Sequence, residues 1–340
     1  MLQHDAAAIL WYAILAVAWI AYLSQESFIV GSGMLHRFGH GPAKRRSIQL
    51  SAGLHYDGIE VWLIVAVGGT FAAFPPVFAT ILSCLYVPFF LLIASLIVRA
   101  VSIEFMYKDP SPRWRDWMSV LWTLSSCLIP FVLGVYFANV FGGIAVDASG
   151  YKGNILELFG PVGLSGGLFF AANAAANGSA WIGLTTIEDK EGEGKNAAMI
   201  LSGVSLFGLL VLFLGLNNTT SLFAGSRLLS EAPAWWILPA LAILAGLAQV
   251  YVAWRGRRGQ QLASGIACLA LAMASLFVAA FPRMVISSVV PGFGIEAIGG
   301  SSSRVTLGVM TRVAAVFIPV VIGYQGWKYA HFRKDKNGEA

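Results

Sequence analysis

The chain has 340 residues, of which 57% are hydrophobic and only 11% are charged, and its mean hydropathy is +0.73. A soluble domain usually carries about a quarter charged residues, so this composition excludes an ordinary soluble protein. The formal net charge is +5, but no continuous basic surface accompanies it, and we expect no nucleic-acid partner.

Apolar runs that can cross a bilayer, about 20 residues each, recur along the whole chain. They are continuous rather than alternating, which predicts helices and not the strands of a membrane barrel. We therefore predict an all-α, polytopic membrane protein. The nine predicted spans are 8–35, 56–74, 78–107, 117–142, 160–187, 197–217, 233–254, 261–282 and 306–330. The segment FAAFPP, residues 71–76, predicts a tight turn between the second and third spans, because a proline pair cannot continue a helix.

Basic residues predict the orientation of these spans. If the N-terminus lies outside, nine spans place the C-terminus in the cytoplasm, and the cytoplasmic connections then hold far more basic residues than the outer ones. This asymmetry follows the positive-inside rule. The cytoplasmic residues are Arg37, Lys44, Arg45, Arg46, Lys108, Arg113, Arg115, Lys190, Lys195, Arg255, Arg257, Arg258, Arg333, Lys334 and Lys336, and the outer ones are Lys152, Arg227, Arg283 and Arg304.

Five ionisable residues inside the spans are the main functional signal: Glu26, Asp57, Glu60, Arg99 and Glu104. A charge in the middle of an isolated membrane helix costs about 2.5–3.5 kcal/mol, so such residues usually mark a functional site. Glu26 lies about 13 Å from the cytoplasmic end of its span, and the other four lie at the cytoplasmic ends of the next two spans. Since carboxylates near a cation in a desolvated site suit proton relay, we predict a proton path here.

Structural roles for the same residues stay open. Asp57 is placed to cap the second span through the helix dipole, and Glu104 is within reach of the headgroup region. Arg99 is placed to pair with Glu60 or Glu104 and hold helices together. Glu26 is harder to explain as structural, because its polar neighbours also lie in the middle of a span.

The histidines and cysteines argue against a redox centre in this chain. His4, His36, His40, His55 and His331 all lie at or beyond the ends of the predicted spans. A haem inside the membrane normally needs an axial histidine well within a helix, and no histidine joins the carboxylates to form a metal site. Cys84, Cys127 and Cys268 are isolated, and the phosphate-binding pattern GxxxxGK[ST] is absent. We expect no cofactor or metal in this chain and no ATP-driven chemistry.

The segments YDGIEVWL, GGTFAAFPPVFA and LIVRAVSIEF resemble, at similar spacing, the W-D-G-N-E-V-W-L, l-F-A-A-F-P and R-G-v-a-f-E-f-R segments of subunit II of the cytochrome bd quinol oxidases. SSSRVTLGVM and IPVVIGYQGWKYAHFR resemble its closing pattern. The strong motifs cover about residues 20–107. The resemblance implies two four-helix bundles and a peripheral helix.

The same resemblance implies a division of the chain and a set of partners. We expect a first bundle with the carboxylates at 1–142, an outer loop at 143–159, a second bundle and peripheral helix at 160–330, and a cytoplasmic tail at 331–340. The expected partner is a haem-bearing subunit I that oxidises quinol and reduces oxygen to water, with haems b and d, and small accessory subunits can join it. The expected location is the bacterial inner membrane.

Individual residues carry the resemblance unevenly. Asp57 matches the motif aspartate, and Glu26 falls where the first-helix segment L-D-G-F-D-L-G has its first Asp; both positions are linked to proton uptake in the family. Ile29 replaces the second Asp of that segment, so the expected proton path has one carboxylate fewer than in the family. Tyr56 replaces the motif Trp, and the resemblance leaves two roles open for Tyr56 and Trp62: a contact for quinone or lipid, and packing within the bundle. Two rival functions stay open: a proton-coupled secondary transporter, and a scaffold subunit that has lost the oxidase role.

Overall fold

The computed structural model describes residues 2–39, 41–186, 194–220, 222–223, 226–290 and 292–335. These residues are mostly helical. The helices are α1 (Leu2–Leu35), α2 (Pro42–Gly53), α3 (Tyr56–Ala73), α4 (Pro75–Cys84), α5 (Tyr86–Phe105), α6 (Pro112–Gly142), α7 (Pro161–Thr185), α8 (Lys195–Thr220), α9 (Arg227–Glu231), α10 (Ile237–Trp254), α11 (Arg258–Ala280) and α12 (Arg304–Asp335). Two short antiparallel pairs, β1 (Val146–Asp147) with β2 (Gly150–Tyr151) and β3 (Arg283–Ile286) with β4 (Gly294–Glu296), lie in connections that we predicted as loops.

Eight membrane-spanning candidates are found in the described part of the chain, and they contain α1, α3, α5, α6, α8, α10, α11 and α12. The remaining predicted span corresponds to α7, which has 25 residues and is therefore long enough to cross a bilayer. Its glycine, serine and asparagine residues lower its hydropathy, but most of them are buried between other helices. The polytopic helical class is therefore confirmed.

The predicted turn at FAAFPP is present, since α3 ends at Ala73 and α4 begins at Pro75. The third predicted span, 78–107, is wrong as a single helix, because the chain breaks at Leu85 between α4 and α5. Helix α2 was not predicted. It buries Ile48, Gln49 and Ala52 against neighbouring helices and lies across the end of the first bundle.

The spans form two groups of four with one helix outside. Helices α1, α3, α5 and α6 make the first group, α7, α8, α10 and α11 the second, and the largely exposed α12 packs on α1 and α3. The groups meet along α7, whose backbone touches α1 closely: a methyl group added at Gly31 would lie 1.8 Å from the Ala174 carbonyl oxygen. Only glycine fits at that crossing.

A buried amide cluster also joins the two groups. Asn177 of α7 donates to Ser27 of α1 and to Asn173, each at 3.0 Å, and accepts from Gln249 of α10 at 3.0 Å. Asn173, Asn177 and Gln249 are each 0% exposed. Because buried amides are costly to leave unpaired, these bonds fix the rotation of α1 beside Glu26.

Long-range hydrogen bonds and an ion pair show which helix ends lie at the same end of the molecule. At one end, Ser302 before α12 donates its backbone N–H to Ala73 at the end of α3, at 2.8 Å, and Ile144 pairs with Ser287. At the other end, Arg37 forms an ion pair with Asp116 at 3.1 Å. Successive spans therefore run in opposite directions.

Candidate proton-transfer site

Arg99 of α5 is the centre of the site. Its side chain is 0% exposed and forms ion pairs with Glu26 of α1, through Nη1 and Oε1, and with Glu60 of α3, through Nη2 and Oε1 at 2.8 Å. Three helices of the first bundle thus each contribute one charged side chain. The structure therefore brings together three of the five predicted residues.

Burial differs sharply between the two carboxylates. The side chain of Glu26 is 2% exposed and that of Glu60 is 34% exposed. One guanidinium can neutralise only one of the two carboxylates, and a second uncompensated charge in a low-dielectric interior is unfavourable. The cluster therefore holds one carboxylate more than its single cation can balance.

Several polar atoms of this cluster lack a hydrogen-bond partner among the described residues. They include the buried atoms Glu26 Oε2 and Arg99 Nε, and the buried hydroxyl of Tyr22, one helical turn from Glu26, interacts with the Glu26 carboxylate. Buried polar groups are nearly always satisfied by protein or by ordered water. These atoms therefore make the surroundings of Glu26 suitable for internal water.

The remaining two predicted residues lie nearer the helix ends. Glu104 is exposed and accepts a hydrogen bond from the hydroxyl of Tyr56 at 3.0 Å. The Tyr56 ring centre lies 5.8 Å from the guanidinium carbon of Arg99, so Tyr56 connects Glu104 with the buried cluster. Asp57 is also exposed, one turn before Glu60. Of the two partners expected for Arg99, Glu60 is present and Glu104 is not.

The quinone or lipid contact predicted at Tyr56 and Trp62 has limited surface. Tyr56 is only 5% exposed and its hydroxyl is already bonded to Glu104. Trp62 is half-buried and packs against the hydrophobic core. Most of the Tyr56 surface therefore contacts protein rather than an external ligand.

A positively charged aromatic cluster lies beside the exposed end of this site. The guanidinium carbons of Arg46 and Arg115 lie 4.0 Å and 5.6 Å from the ring centre of Tyr107. Burial raises the pKa of the Tyr107 hydroxyl, against the opposing effect of the two arginines. Tyr107 therefore stays neutral and acts as a cation–π platform at this end of α5.

That this chain holds no haem or metal stays a prediction. In the described part of the chain, no three His, Cys, Asp or Glu residues are grouped for a metal ion. His36 is buried at the end of α1, but its Nδ1 lies 2.9 Å from the Ser119 hydroxyl and its ring centre 4.5 Å from that of Trp122. His36 thus has one ring nitrogen engaged within the protein, while Nε2 has no hydrogen-bond partner among the described residues.

Sequence reasoning missed two parts of the site. The pairing of Arg99 with Glu26 joins residues 73 positions apart, and no local pattern predicts which helices face each other. Tyr22 was also missed, and its only signal is the spacing of four residues from Glu26, which places both on one helix face.

Comparisons with known proteins agree with this architecture. The family model for cytochrome bd terminal oxidase subunit II matches residues 7–332. Cytochrome bd ubiquinol oxidase subunit 2 of Bacillus subtilis (strain 168) is 31% identical over 334 residues, covering 97% of this chain and 96% of the relative. Cytochrome bd-I ubiquinol oxidase subunit 2 of Escherichia coli (strain K12) is 28% identical over 360 residues, covering 97% and 95%.

A solved structure shares the fold. The bd oxidase from Geobacillus thermodenitrificans matches with a TM-score of 0.76 at 16% identity, covering 96% of this chain and 98% of that chain. The helical arrangement is thus retained where most side chains differ. With the family model matching nearly the whole chain, this protein belongs to the cytochrome bd terminal oxidase subunit II family.

Proposed function

We propose that this chain is the haem-free subunit of a bd-type quinol oxidase and supplies a scaffold and a proton-uptake path. The complex would oxidise quinol and reduce oxygen to water. Family membership supports the first part. The observation that supports the second is the ion-paired cluster of Glu26, Glu60 and Arg99, which places a fully buried carboxylate next to a partly exposed one.

Each residue has a distinct part in the proposed path. Asp57 and Glu104 are exposed and collect protons from water at the helix ends. Glu60 receives a proton beside Tyr56 and passes it to Glu26, in the interior of the bundle. Arg99 holds the two acids near each other. It balances the charge of the deprotonated acid, whether the proton is on Glu60 or on Glu26.

The exposed acids also indicate where the partner subunit binds. Glu60 of α3 is 34% exposed, and it lies farther from the helix end than Asp57, which is exposed. A carboxylate that faces lipid in a membrane helix is expensive, so the surface beside Glu60 requires a protein cover, while Asp57 and Glu104 at the helix ends stay open to water. We propose that a haem-bearing subunit I covers the surface beside Glu60, with haems b and d for electron transfer and oxygen reduction; small accessory subunits, lipid or quinone would occupy other parts of the surface.

The orientation follows from the charges at the two ends. The end formed by α2 and the connection between α5 and α6 holds most of the basic residues, and the positive-inside rule assigns it to the cytoplasm. The N-terminus is then outside and the C-terminus inside a bacterial inner membrane. Lys190 and Lys336, which contribute to this prediction, lie outside the described residues.

We propose that the two bundles divide the work. Residues 1–142 carry the proton path, while 160–330 hold α1 and α6 in place through α7 and complete the scaffold. The outer loop at 143–159 joins them, and the tail at 331–340 is cytoplasmic; residues 336–340 of that tail lie outside the described part of the chain.

Substitution of the two acids linked to uptake tests the path. In the purified complex, Glu26→Gln and Asp57→Asn should each slow quinol-driven oxygen uptake at least about tenfold, as loss of a positioned proton-transfer group does, with haem content unchanged. Glu157→Gln, at an exposed carboxylate in the outer loop, is the control and should keep the rate.

The same purification separates the rival functions. An oxidase subunit co-purifies with a helical partner whose haems appear in the reduced-minus-oxidised spectrum. A colourless chain that catalyses transport alone, or a haem-free complex, would refute the oxidase assignment. Normal oxygen uptake in both acid variants would refute the proton path.

A further inference from the structure

A second group of buried polar side chains lies between α1 and α6. His36, Trp122 and Ser126 are 1%, 0% and 0% exposed. His36 uses Nδ1 to bond the Ser119 hydroxyl at 2.9 Å. His36 Nε2, Trp122 Nε1 and Ser126 Oγ have no hydrogen-bond partner in the part of the chain that the structure describes.

These unpaired atoms are close together. A methyl group added at Gly33 would lie 2.1 Å from Ser126 Oγ and 2.6 Å from Trp122 Nε1. The distance between Ser126 Oγ and Trp122 Nε1 therefore cannot exceed the sum of these two distances. One water molecule can bridge a gap of that size. The His36 ring centre is 4.5 Å from that of Trp122, so the three groups form one continuous polar seam.

Proline adds a further acceptor to the seam. Pro130 lies inside α6 and has no N–H to donate to the carbonyl of Ser126, its helix partner four residues earlier. In a helix this carbonyl points toward the C-terminal end of α6, away from His36 and deeper into the bundle. Ser126 therefore presents both a hydroxyl and a carbonyl without a helix bond.

The seam leads toward Glu26. Thr123 of α6 donates to the Gly33 carbonyl at 3.1 Å, which fixes the register of the two helices. Gly33 is seven residues from Glu26, which is two turns on the same face of α1 and about 10 Å along its axis. At its other end, His36 adjoins Arg37, which is ion-paired with exposed Asp116, so the seam begins one residue from the surface.

We propose that this seam is a second, hydrated proton-entry route to Glu26, separate from the Asp57 and Glu104 surface. His36 exchanges protons at the cytoplasmic end, where Arg37, Arg45 and Asp116 are the neighbouring charges, and water bound by Trp122 Nε1 and Ser126 carries them inward. The proposal rests on the proton-uptake function of Glu26, because without that function the seam has no acceptor to supply.

Hydration of the seam can be measured without turnover. Radiolytic hydroxyl labelling of the intact complex modifies side chains next to bound water. Trp122 should be oxidised severalfold faster than Trp11, which is also buried but bonds Thr311 through Nε1, and Ser126→Ala should remove the difference. Equal labelling of the two tryptophans would show a dry seam and overturn the proposal.

The entry role is tested with adjacent serines. Ser125 is as buried as Ser126, but its hydroxyl bonds the Trp122 carbonyl in its own helix. In the Asp57→Asn background, where the second route carries much of the remaining flux, Ser126→Ala and His36→Gln should each lower oxygen uptake about twofold or more, and Ser125→Ala should not. With Asp57 intact, the same variants should lower oxygen uptake by no more than about a tenth, because the Asp57 route then carries most of the protons.

The outcomes distinguish this proposal from the function on which it rests. If Glu26→Gln slows uptake but the Ser126 and His36 variants behave like Ser125→Ala in the Asp57→Asn background, the second route is refuted and the main path stands. If Glu26→Gln leaves uptake unchanged, the main path itself fails.

Discussion

Arg99→Met is the most informative change to the charged cluster. It removes the only cation that contacts Glu26 and Glu60 in the described structure while keeping an unbranched apolar side chain. Breaking a buried ion pair by removing one partner costs about 3–5 kcal/mol. A 340-residue chain has an unfolding entropy of about 0.7 kcal/mol/K, so this cost lowers the unfolding midpoint by about 6 °C.

The assay is thermal unfolding of the purified complex in detergent, followed by loss of the monodisperse chromatographic peak. Adding Glu26→Gln to Arg99→Met should recover part of the loss, because it removes one of the two stranded carboxylates. Arg312→Met is the control: Arg312 lies on the exposed face of α12 and should change stability by less than about 0.5 kcal/mol. An unchanged unfolding midpoint in Arg99→Met, or a lower midpoint in the double variant than in Arg99→Met alone, would refute the reasoning.

Two further predictions concern the site and the helix crossing. Tyr56→Phe removes the hydrogen bond to Glu104 but keeps the ring, so oxygen uptake should fall a few-fold with haem content unchanged; a rate equal to wild type would remove Tyr56 from the path. Gly31→Ala places a methyl group 1.8 Å from the Ala174 carbonyl oxygen, whereas Gly203 has nothing within 4 Å. Gly31→Ala should therefore sharply lower the yield of folded complex and Gly203→Ala should not, as membrane yield and chromatography would measure, and equal yields would contradict the close crossing.

Much of the fold was predictable because the local amino-acid composition identifies membrane spans. The apolar runs located the helices within a few residues, and the proline pair after Phe74 located the break between α3 and α4. Helix α2 was missed because its 12 residues, three of them consecutive basic ones, are too few to span a membrane. The break at Leu85 was missed because it occurs within an apolar run and no Gly or Pro immediately precedes it.

The site was predictable in its members but not in its contacts. The cost of a charge in a membrane identified Glu26, Glu60 and Arg99 individually. Their pairing depends on the rotation of α1, which is set by the bond from Asn177, 150 residues along the chain, to Ser27 beside Glu26. A single sequence does not show such long-range contacts. The sequence analysis expected Glu60 or Glu104 as the partner of Arg99, and only the structure shows that Glu26 is a partner and Glu104 is not.

The central claim is that Glu26 takes up protons from the cytoplasm during oxygen reduction. Time-resolved proton uptake from the bulk solution, after fully reduced complex is mixed with oxygen, tests it most directly. In Glu26→Gln, uptake should be slowed at least about tenfold while the initial binding of oxygen keeps its wild-type rate. Proton uptake at the wild-type rate in this variant would contradict the account.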